Sequence, residues 1–139
     1  MSILGLDIGE KRIGLAHSDE LNFMAHAAGF LQRKSDEELI RELQKMITEF
    51  HIEKIVIGLP KTMKGENGTQ ADKVLSLAER LRQDIQSPIV MWDERLTTVQ
   101  AERALIAQDV SRAKRRKKRD AIAAEIMLQS YLDFSKQKG

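Results

Sequence analysis

The sequence predicts an α/β fold, a mixed β-sheet with helices packed on its faces, on two observations. Residues 3–8 and 12–17 are short apolar runs separated by a glycine-containing turn, a pattern that predicts an antiparallel hairpin. Short apolar runs at residues 54–58 and 88–92 then alternate with segments of helical periodicity, which is the order of parallel strands joined by helices. The unbroken apolar run at 54–58 is typical of a strand covered on both faces. We therefore expect antiparallel strands first and parallel strands after them.

The early part of the chain is predicted to add a third strand and the first helix. Residues 27–31 complete the antiparallel part of the sheet. Ser35 and Glu38 form a capping-box pair ahead of apolar residues at helical spacing, so a helix is expected at residues 36–50. Gly9 lies in the turn of the first hairpin, where we expect it to supply a positive φ.

Three further helices are predicted, at residues 71–85, about 98–107 and 120–134. Either Thr97 or Thr98 would cap the middle one. The apolar face of the last helix is predicted to consist of Ile122, Ala123, Ile126, Met127, Tyr131 and Phe134. Three small residues at its start predict a close approach to the sheet: Ala121, Ala123 and Ala124.

A chain of this length fits one compact domain, and we expect residues 1–139 to form a single domain. The absence of cysteine excludes disulfides and thiolate metal sites and suits a reducing cytoplasm. No apolar run approaches the roughly 18 residues that span a bilayer, and the chain begins with a strand pattern instead of a signal peptide. We therefore expect a soluble cytoplasmic protein with no membrane partner.

Positive charge is concentrated in one segment of the chain. Residues 112–119 read RAKRRKKR, with seven basic residues in eight positions. Of the 23 Lys and Arg residues, 16 lie elsewhere, where 21 Asp and Glu residues outnumber them. A basic segment on an acidic body favours binding of a polyanion, most simply a nucleic-acid backbone, and a solvated loop is the alternative. The candidate residues are Arg112, Lys114, Arg115, Arg116, Lys117, Lys118 and Arg119.

Five further cations are candidates for contacts with phosphates. Two of them lie in the turn-rich segment 59–69, which follows a strand at the sheet edge where open α/β folds bind ligands. For two others, Arg12 and Arg95, the alternative is that each orients a neighbouring carboxylate through a bidentate ion pair. The five candidates are Lys11, Arg12, Lys61, Lys64 and Arg95.

Acidic residues from three parts of the chain would meet at one edge of the sheet. Asp7 ends the first strand, Asp93 and Glu94 follow the last strand, and Asp120 begins the final helix. Because side chains alternate along a strand, Asp93 and Glu94 should not both point at the site, and spacing leaves the choice open. Clustered carboxylates repel one another without metal and offer the oxygen ligands that Mg²⁺ and Mn²⁺ prefer. Two such ions suit the hydrolysis of a phosphodiester bond.

Four segments also carry a resemblance to a known family. In order and over nearly the whole length, LGLDIGEKRIGLA, VIGLPKTMKGENG, WDERLTT and RDAIAA resemble the YqgF (RuvX) family. Its bacterial, RNase H-like members are described both as pre-16S ribosomal RNA nucleases and as Holliday junction resolvases. The resemblance implies an RNase H-like fold and a catalytic, metal-binding triad of Asp7, Glu94 and Asp120. It thereby implies Glu94 in place of Asp93.

The resulting hypothesis is a nuclease dependent on Mg²⁺ or Mn²⁺ that processes the 5′ end of pre-16S rRNA, with ribosomal particles as partners. Holliday junction resolution is the alternative within the family, with branched DNA as substrate and a homodimer as the expected assembly. A nucleic-acid-binding module without catalysis is a further alternative, in which Asp7 would be a turn residue and Asp120 a helix cap. An actin-like ATPase or sugar kinase shares the Asp-x-Gly hairpin, but Glu10 would repel nucleotide phosphates.

Overall fold

The computed structural model describes residues 1–60, 68–96 and 119–138, and in the last range the side chains of residues 121–136. The strands in these ranges are β1 Ser2–Ile8, β2 Arg12–Ser18, β3 Ala25–Gln32, β4 Ile52–Leu59 and β5 Ile89–Asp93. The helices are α1 Asp36–Phe50, α2 Thr69–Asp84 and α3 Arg119–Lys138, with a 3₁₀ turn at Glu94–Leu96. None of these helices is long and apolar enough to cross a membrane. The predicted helix at 98–107 lies outside the described residues.

The five strands form one mixed sheet in the order β3-β2-β1-β4-β5. β1 pairs antiparallel with β2, and β2 pairs antiparallel with β3. β4 runs parallel to both β1 and β5. The predicted sheet, with antiparallel strands first and parallel strands after them, is confirmed.

Local interactions at the ends of α1 agree with the capping pattern in the sequence. The Ser35 hydroxyl accepts a hydrogen bond from the backbone N–H of Glu38 at 3.2 Å, which satisfies one of the free donors of the first turn. At the other end His51 adopts a left-handed conformation with φ 52° and ψ 54°, and its N–H donates to the carbonyl of Ile47. α1 therefore begins and ends where its side chains and backbone satisfy the free groups of a helix.

The sheet has an apolar layer on each face. α1 and α2 cover one face, where the buried residues of β1, β2 and β4 are Leu4, Leu6, Ile8, Ile13, Leu15, Ile52, Ile55, Ile57 and Leu59. α3 covers the other face, where the buried cluster includes Ile3, Ala16, Val56, Trp92, Ala124, Met127 and Leu128. The prediction of helices on both faces is confirmed. Because alternate residues of a strand point to opposite faces, these two clusters also tell which side chains of each strand face α3.

α3 approaches the sheet closely, but with a different face from the predicted one. Ala121 and Ala124 are buried, as expected, whereas Ala123 is exposed. The prediction of an apolar face through Ala123 was therefore wrong. The physical reason is that apolar residues surround much of this helix, so periodicity alone does not determine which stripe packs against the sheet. Ile122 and Ile126 are half-buried, and Phe134 is exposed.

Gly5 and Gly9 each lie so close to a neighbouring residue that a side chain would not fit. A Cβ on Gly5 of β1 would lie 3.0 Å from the Cβ of Leu128, so a side chain there would push α3 away from the sheet. The prediction that Gly9 supplies a positive φ was wrong, since Gly29 is the only described glycine in that region of φ. Gly9 instead donates a hydrogen bond to the Arg12 carbonyl at 2.9 Å, and a Cβ would lie 2.7 Å from that oxygen.

The contact between Gly5 and Leu128 generates a prediction about stability. We expect Gly5→Val to lower the free energy of unfolding by about 2–3 kcal/mol, because overpacking forces α3 off the sheet. Urea denaturation followed by circular dichroism measures the effect. Ala27→Val is the matched control, since Ala27 is exposed on the edge strand β3, where a β-branched residue is tolerated. Equal stabilities of the two variants would contradict the packing argument.

Candidate active site

Asp7 lies near the carboxyl end of β1 on the face that α3 covers. Its neighbours Leu6 and Ile8 point into the core under α1 and α2, so alternation directs Asp7 to the opposite face. On β2 the residue paired with Asp7 is Gly14. On β4 Leu6 pairs with Ile57, so the next position beside Asp7 is Gly58. The half-buried Asp7 is therefore flanked by a glycine on each neighbouring strand.

Glu94 brings a second carboxyl group to the same place. Trp92 faces α3, and two residues later the 3₁₀ turn places the half-buried Glu94 on that same side. The carboxyl groups of Glu94 and Asp7 share a hydrogen bond. Because β4 lies between β1 and β5, the side chain of Glu94 must cross β4 to make this contact.

The crossing point is Gly58. A Cβ added to Gly58 would lie 2.5 Å from Oε1 of Glu94 and 3.1 Å from its Cδ and Cγ. Any other residue at this position would therefore occupy space that the Glu94 side chain uses. Gly58 was not among the predicted site residues. A glycine at the carboxyl end of a buried strand was the signal in the sequence, but the clash that explains it is with Glu94, from the 3₁₀ turn that follows β5.

The paired acids strongly perturb the ionisation of Glu94. The pKa of Glu94 is raised from 4.5 to about 8. Burial is the largest cause, followed by the hydrogen bond to Asp7, the charge of Asp7 and the charge of Asp93. Two carboxyl groups in contact repel each other when both are ionised, so at neutral pH the pair retains a proton. A proton or another cation is therefore needed to hold the two acids together.

Asp93, by contrast, pairs with Arg95. Nε of Arg95 donates to Oδ1 and Oδ2 of Asp93 at 3.1 Å each, and Nη2 donates to Oδ2 at 2.6 Å. The backbone N–H of Arg95 also donates to Oδ1 at 3.0 Å. Of the two alternatives for Arg95, the structure shows a bidentate ion pair, and its partner is Asp93. Glu94 is consequently the acid of this segment that contacts Asp7.

The start of α3 lies toward the same edge of the sheet. Leu128 packs on Gly5, and Tyr131, farther along the helix, accepts a hydrogen bond from Nζ of Lys54 at 3.0 Å. Lys54 pairs with Ile3, near the start of β1. The helix axis followed backwards from these contacts leads toward the carboxyl end of β1. Asp120 lies in the first turn of α3, and its side chain is outside the described part.

The predicted basic residues are placed only in part. Lys11 and Arg12 are exposed at the turn between β1 and β2, next to the carboxyl end of β1. The Cζ atom of Arg12 lies 5.7 Å from the centroid of the Phe30 ring. Lys61, Lys64 and the run from Arg112 to Lys118 fall outside the described residues, as does the side chain of Arg119. Within the described residues, no group of three His, Cys, Asp or Glu side chains could hold a metal ion.

Comparisons with known proteins agree with this fold and extend over nearly all of the chain. The chain is 49% identical over 133 residues to a protein of Clostridium acetobutylicum, covering 96% of this chain and 98% of that one. It is 47% identical over 137 residues to a protein of Caldanaerobacter subterraneus, covering 98% and 99%. Both relatives are provisionally named pre-16S rRNA nucleases.

Two solved structures share the fold at low sequence identity. Thermus thermophilus RuvC in complex with a Holliday junction substrate aligns with a TM-score of 0.61 and 15% identity over 97% of this chain and 96% of that one. The fowlpox virus Holliday junction resolvase aligns with a TM-score of 0.55 and 15% identity over 96% and 99%. These similarities show an RNase H-like α/β fold. Residues 1–134 match the family model described as "RuvX: Holliday junction resolvase", and the chain therefore belongs to the RuvX (YqgF) family.

Proposed function

We propose that this protein is a metal-dependent nuclease that hydrolyses a phosphodiester bond at the 5′ end of pre-16S rRNA. The observation that carries the proposal is the contact between the Asp7 and Glu94 carboxyl groups across Gly58. A pair of acids at the carboxyl edge of a sheet, with a strongly raised pKa, is typical of a functional site. The names of the relatives at 49% and 47% identity support rRNA as the substrate.

The residues present fit a divalent cation. Asp7 and Glu94 offer oxygen ligands, and the raised pKa of Glu94 shows that burial and the neighbouring carboxyl group of Asp7 disfavour a negative charge that a bound cation would stabilise. We propose that both residues, with Asp120 from the first turn of α3, hold Mg²⁺ or Mn²⁺ in a two-ion site. When bound, such ions activate a water and stabilise the leaving oxygen of the cleaved phosphodiester bond.

The rest of the site seats the substrate. Gly14 adds no side chain beside Asp7, which favours a close approach of a phosphate to the acids. The exposed Lys11 and Arg12 lie at the same edge and supply positive charge for a nucleic-acid backbone. We assign the same role to the basic residues of the sequence that lie outside the described ranges. Arg95 is the exception, because its guanidinium is held on Asp93.

An rRNA-processing role has further consequences. The protein would act in the cytoplasm on ribosomal particles, with residues 1–139 working as a single domain. Holliday junction resolution is the second candidate, because the family model carries that description. A resolvase would act as a homodimer, which matches two active sites to two strands.

The first test compares both substrates directly. A 5′-extended 16S precursor RNA and a four-way DNA junction are incubated with the protein, with and without Mg²⁺ or Mn²⁺. We expect metal-dependent cleavage of the RNA that Asp7→Asn lowers by about 100-fold or more, since bound metal contributes several kcal/mol to the transition state. Asp72→Asn, an exposed acid on α2, is the isosteric control and should cleave normally.

The other outcomes of this test separate the alternatives. Cleavage of the junction alone would replace rRNA processing by junction resolution. Binding of either substrate without cleavage, unchanged by Asp7→Asn, would favour the non-catalytic binding module and contradict the proposed nuclease.

The ionisation of Glu94 predicts how stability depends on pH without metal. The folded protein keeps the Glu94 proton up to about pH 8, whereas the unfolded chain loses it near the ordinary pKa of 4.5. Between these values the folded state binds more protons, so the free energy of unfolding falls as pH rises. The penalty is absent below the ordinary pKa and fully developed above the raised one. Solvent screening at this half-exposed group limits it to about 1–3 kcal/mol.

Glu94→Gln should remove this penalty. In urea denaturation with a chelator present, we expect the variant to gain about 1–3 kcal/mol over the wild type between pH 4.5 and pH 8. Taking the difference between the two proteins cancels the groups that titrate alike in both, so the remaining pH dependence belongs to the interacting pair of Glu94 and Asp7. The same substitution should abolish cleavage. A difference that stays constant with pH would show that Glu94 ionises normally in the folded protein.

Gly58→Ala tests the crossing point. The new Cβ meets the flexible end of Glu94 at 2.5 Å, so the carboxyl group should move while the fold remains. We expect cleavage to fall by about 100-fold with the melting temperature nearly unchanged. Gly5→Ala is the contrasting control. Its new Cβ meets the Cβ of Leu128, so this variant should lose stability before it loses cleavage activity. A fully active Gly58→Ala variant would contradict the assigned path of Glu94.

A further inference from the structure

We propose that Phe30 and Arg12 form a stacking platform for an unpaired base of the substrate, close to the cleaved bond. The proposal rests on the proposed nuclease function and specifies the substrate class, a nucleic acid with a single-stranded segment beside the cleavage site. Three features carry it: the position of Phe30 on the sheet, the bulge in β3 that produces this position, and the contact between the ring and Arg12.

Phe30 lies on the same face of the sheet as Asp7. The Cα partner of Phe30 on β2 is Gly14, and the Cα partner of Gly14 on β1 is Asp7. Paired residues of neighbouring strands point to the same face, so the row from Phe30 to Asp7 faces one way. Two strand spacings separate their backbones by about 10 Å. The sheet residue between them, Gly14, adds no side chain to that face.

A bulge in β3 is what places Phe30 on this face. Ala27 pairs with Ala16 and Phe30 pairs with Gly14, so Ala28 and Gly29 together lie opposite one residue of β2. Gly29 has a φ of 91°, a backbone conformation that favours glycine. Without the extra residue, strand alternation would turn Phe30 to the α1 face. Bulges of this kind commonly re-aim a side chain next to an active site.

The ring is accessible and has a cation beside it. Phe30 is 41% exposed, although it lies in the same strand as Ala25, which α3 buries. The guanidinium carbon of Arg12 lies 5.7 Å from the ring centroid, and Arg12 is itself exposed at the turn beside Asp7. An exposed aromatic ring with an adjacent arginine is the combination that binds unpaired bases, since the ring stacks and the cation attracts the backbone.

A paired region would not use this platform. Bases inside a duplex stack on one another and present their edges, so an aromatic side chain reaches only unpaired or splayed bases. We therefore infer that the nucleotides flanking the cleaved bond are single-stranded when the substrate is bound. Stacking accepts any base, so the platform would select for unpaired structure and not for sequence.

The test uses the 5′-extended 16S precursor RNA with 2-aminopurine at single positions around the cleavage site. Binding is measured in the Asp7→Asn background, which blocks cleavage, with and without Phe30→Ala. We expect fluorescence quenching at one unpaired position, lost in Phe30→Ala. In the active protein Phe30→Ala should raise KM about tenfold and leave kcat within about twofold, because stacking is lost from both bound states. The change should disappear for an RNA whose flanking nucleotides are paired.

Matched variants separate stacking from structural effects. Phe30→Tyr and Phe30→Trp keep a ring and should retain quenching, whereas Phe30→Leu keeps apolar bulk and should behave as Phe30→Ala does. Phe23→Ala removes a ring of comparable exposure, 53%, in the turn before β3 at the opposite edge of the sheet, and should change neither KM nor quenching. Melting temperatures of all variants report on folding.

The remaining outcomes are distinguishable. If the wild type cleaves the RNA and Phe30→Ala shows the same KM and the same quenching, the stacking platform is refuted and the nuclease stands. A Phe30→Leu variant as active and as quenched as the wild type would also refute stacking, in favour of an apolar contact such as a protein partner would make. If the wild type neither binds nor cleaves the RNA, the proposed function is refuted, and the platform that rests on it is refuted with it.

Discussion

The contact between the Asp7 and Glu94 carboxyl groups is the constraint on which the rest of this structure depends. Two acids in contact are unfavourable in a folded protein unless a proton or a cation lies between them, and the raised pKa of Glu94 expresses that cost. β4 lies between β1 and β5. The contact therefore requires a glycine at the point where the Glu94 side chain crosses β4. The contact between the two acids therefore lowers the stability of the folded protein. Such an unfavourable contact is typical of functional sites.

The two faces of the sheet differ in the side chains that they bury. Large aliphatic side chains fill the face under α1 and α2 and supply most of the apolar burial. The cluster under α3 combines the small residues Ala16 and Ala124 with large ones such as Trp92, and Gly5 lies beneath Leu128. Small residues let α3 lie close to the sheet, and this brings its first turn toward the carboxyl edge. Close packing of α3 at Gly5 thus bears on where its first turn lies relative to the acidic pair.

Positively charged residues lie close to the acidic pair. The acidic pair would repel a polyanion, so a nuclease at this edge needs cations close by. Lys11 and Arg12 lie at the adjoining turn, and the basic run of the sequence immediately precedes α3. Arg95 shows that proximity in sequence is no guide to role, because it follows Glu94 directly yet binds Asp93. Its ion pair holds the Asp93 carboxylate, whereas Glu94 contacts Asp7.

The sequence by itself determined the order and type of the described elements, the capping of α1 and the carboxyl edge as the place where acids gather. These follow from local properties, since periodicity, strand propensity and capping chemistry act between residues close in the chain. The choice between Asp93 and Glu94 came from the family resemblance, and the pairing of β5 explains it, because Trp92 and Glu94 share the α3 face.

Only the tertiary structure decided the features that join distant parts of the chain. The stripe of α3 that packs on the sheet was predicted wrongly at Ala123, because an apolar helix offers several stripes and contact with Gly5 selects one. The role of Gly58 depends on where the side chain of Glu94, from the turn after β5, crosses β4. The direction of Phe30 depends on a register shift against β2. Such contacts are set by packing between elements, which local spacing in a sequence does not encode.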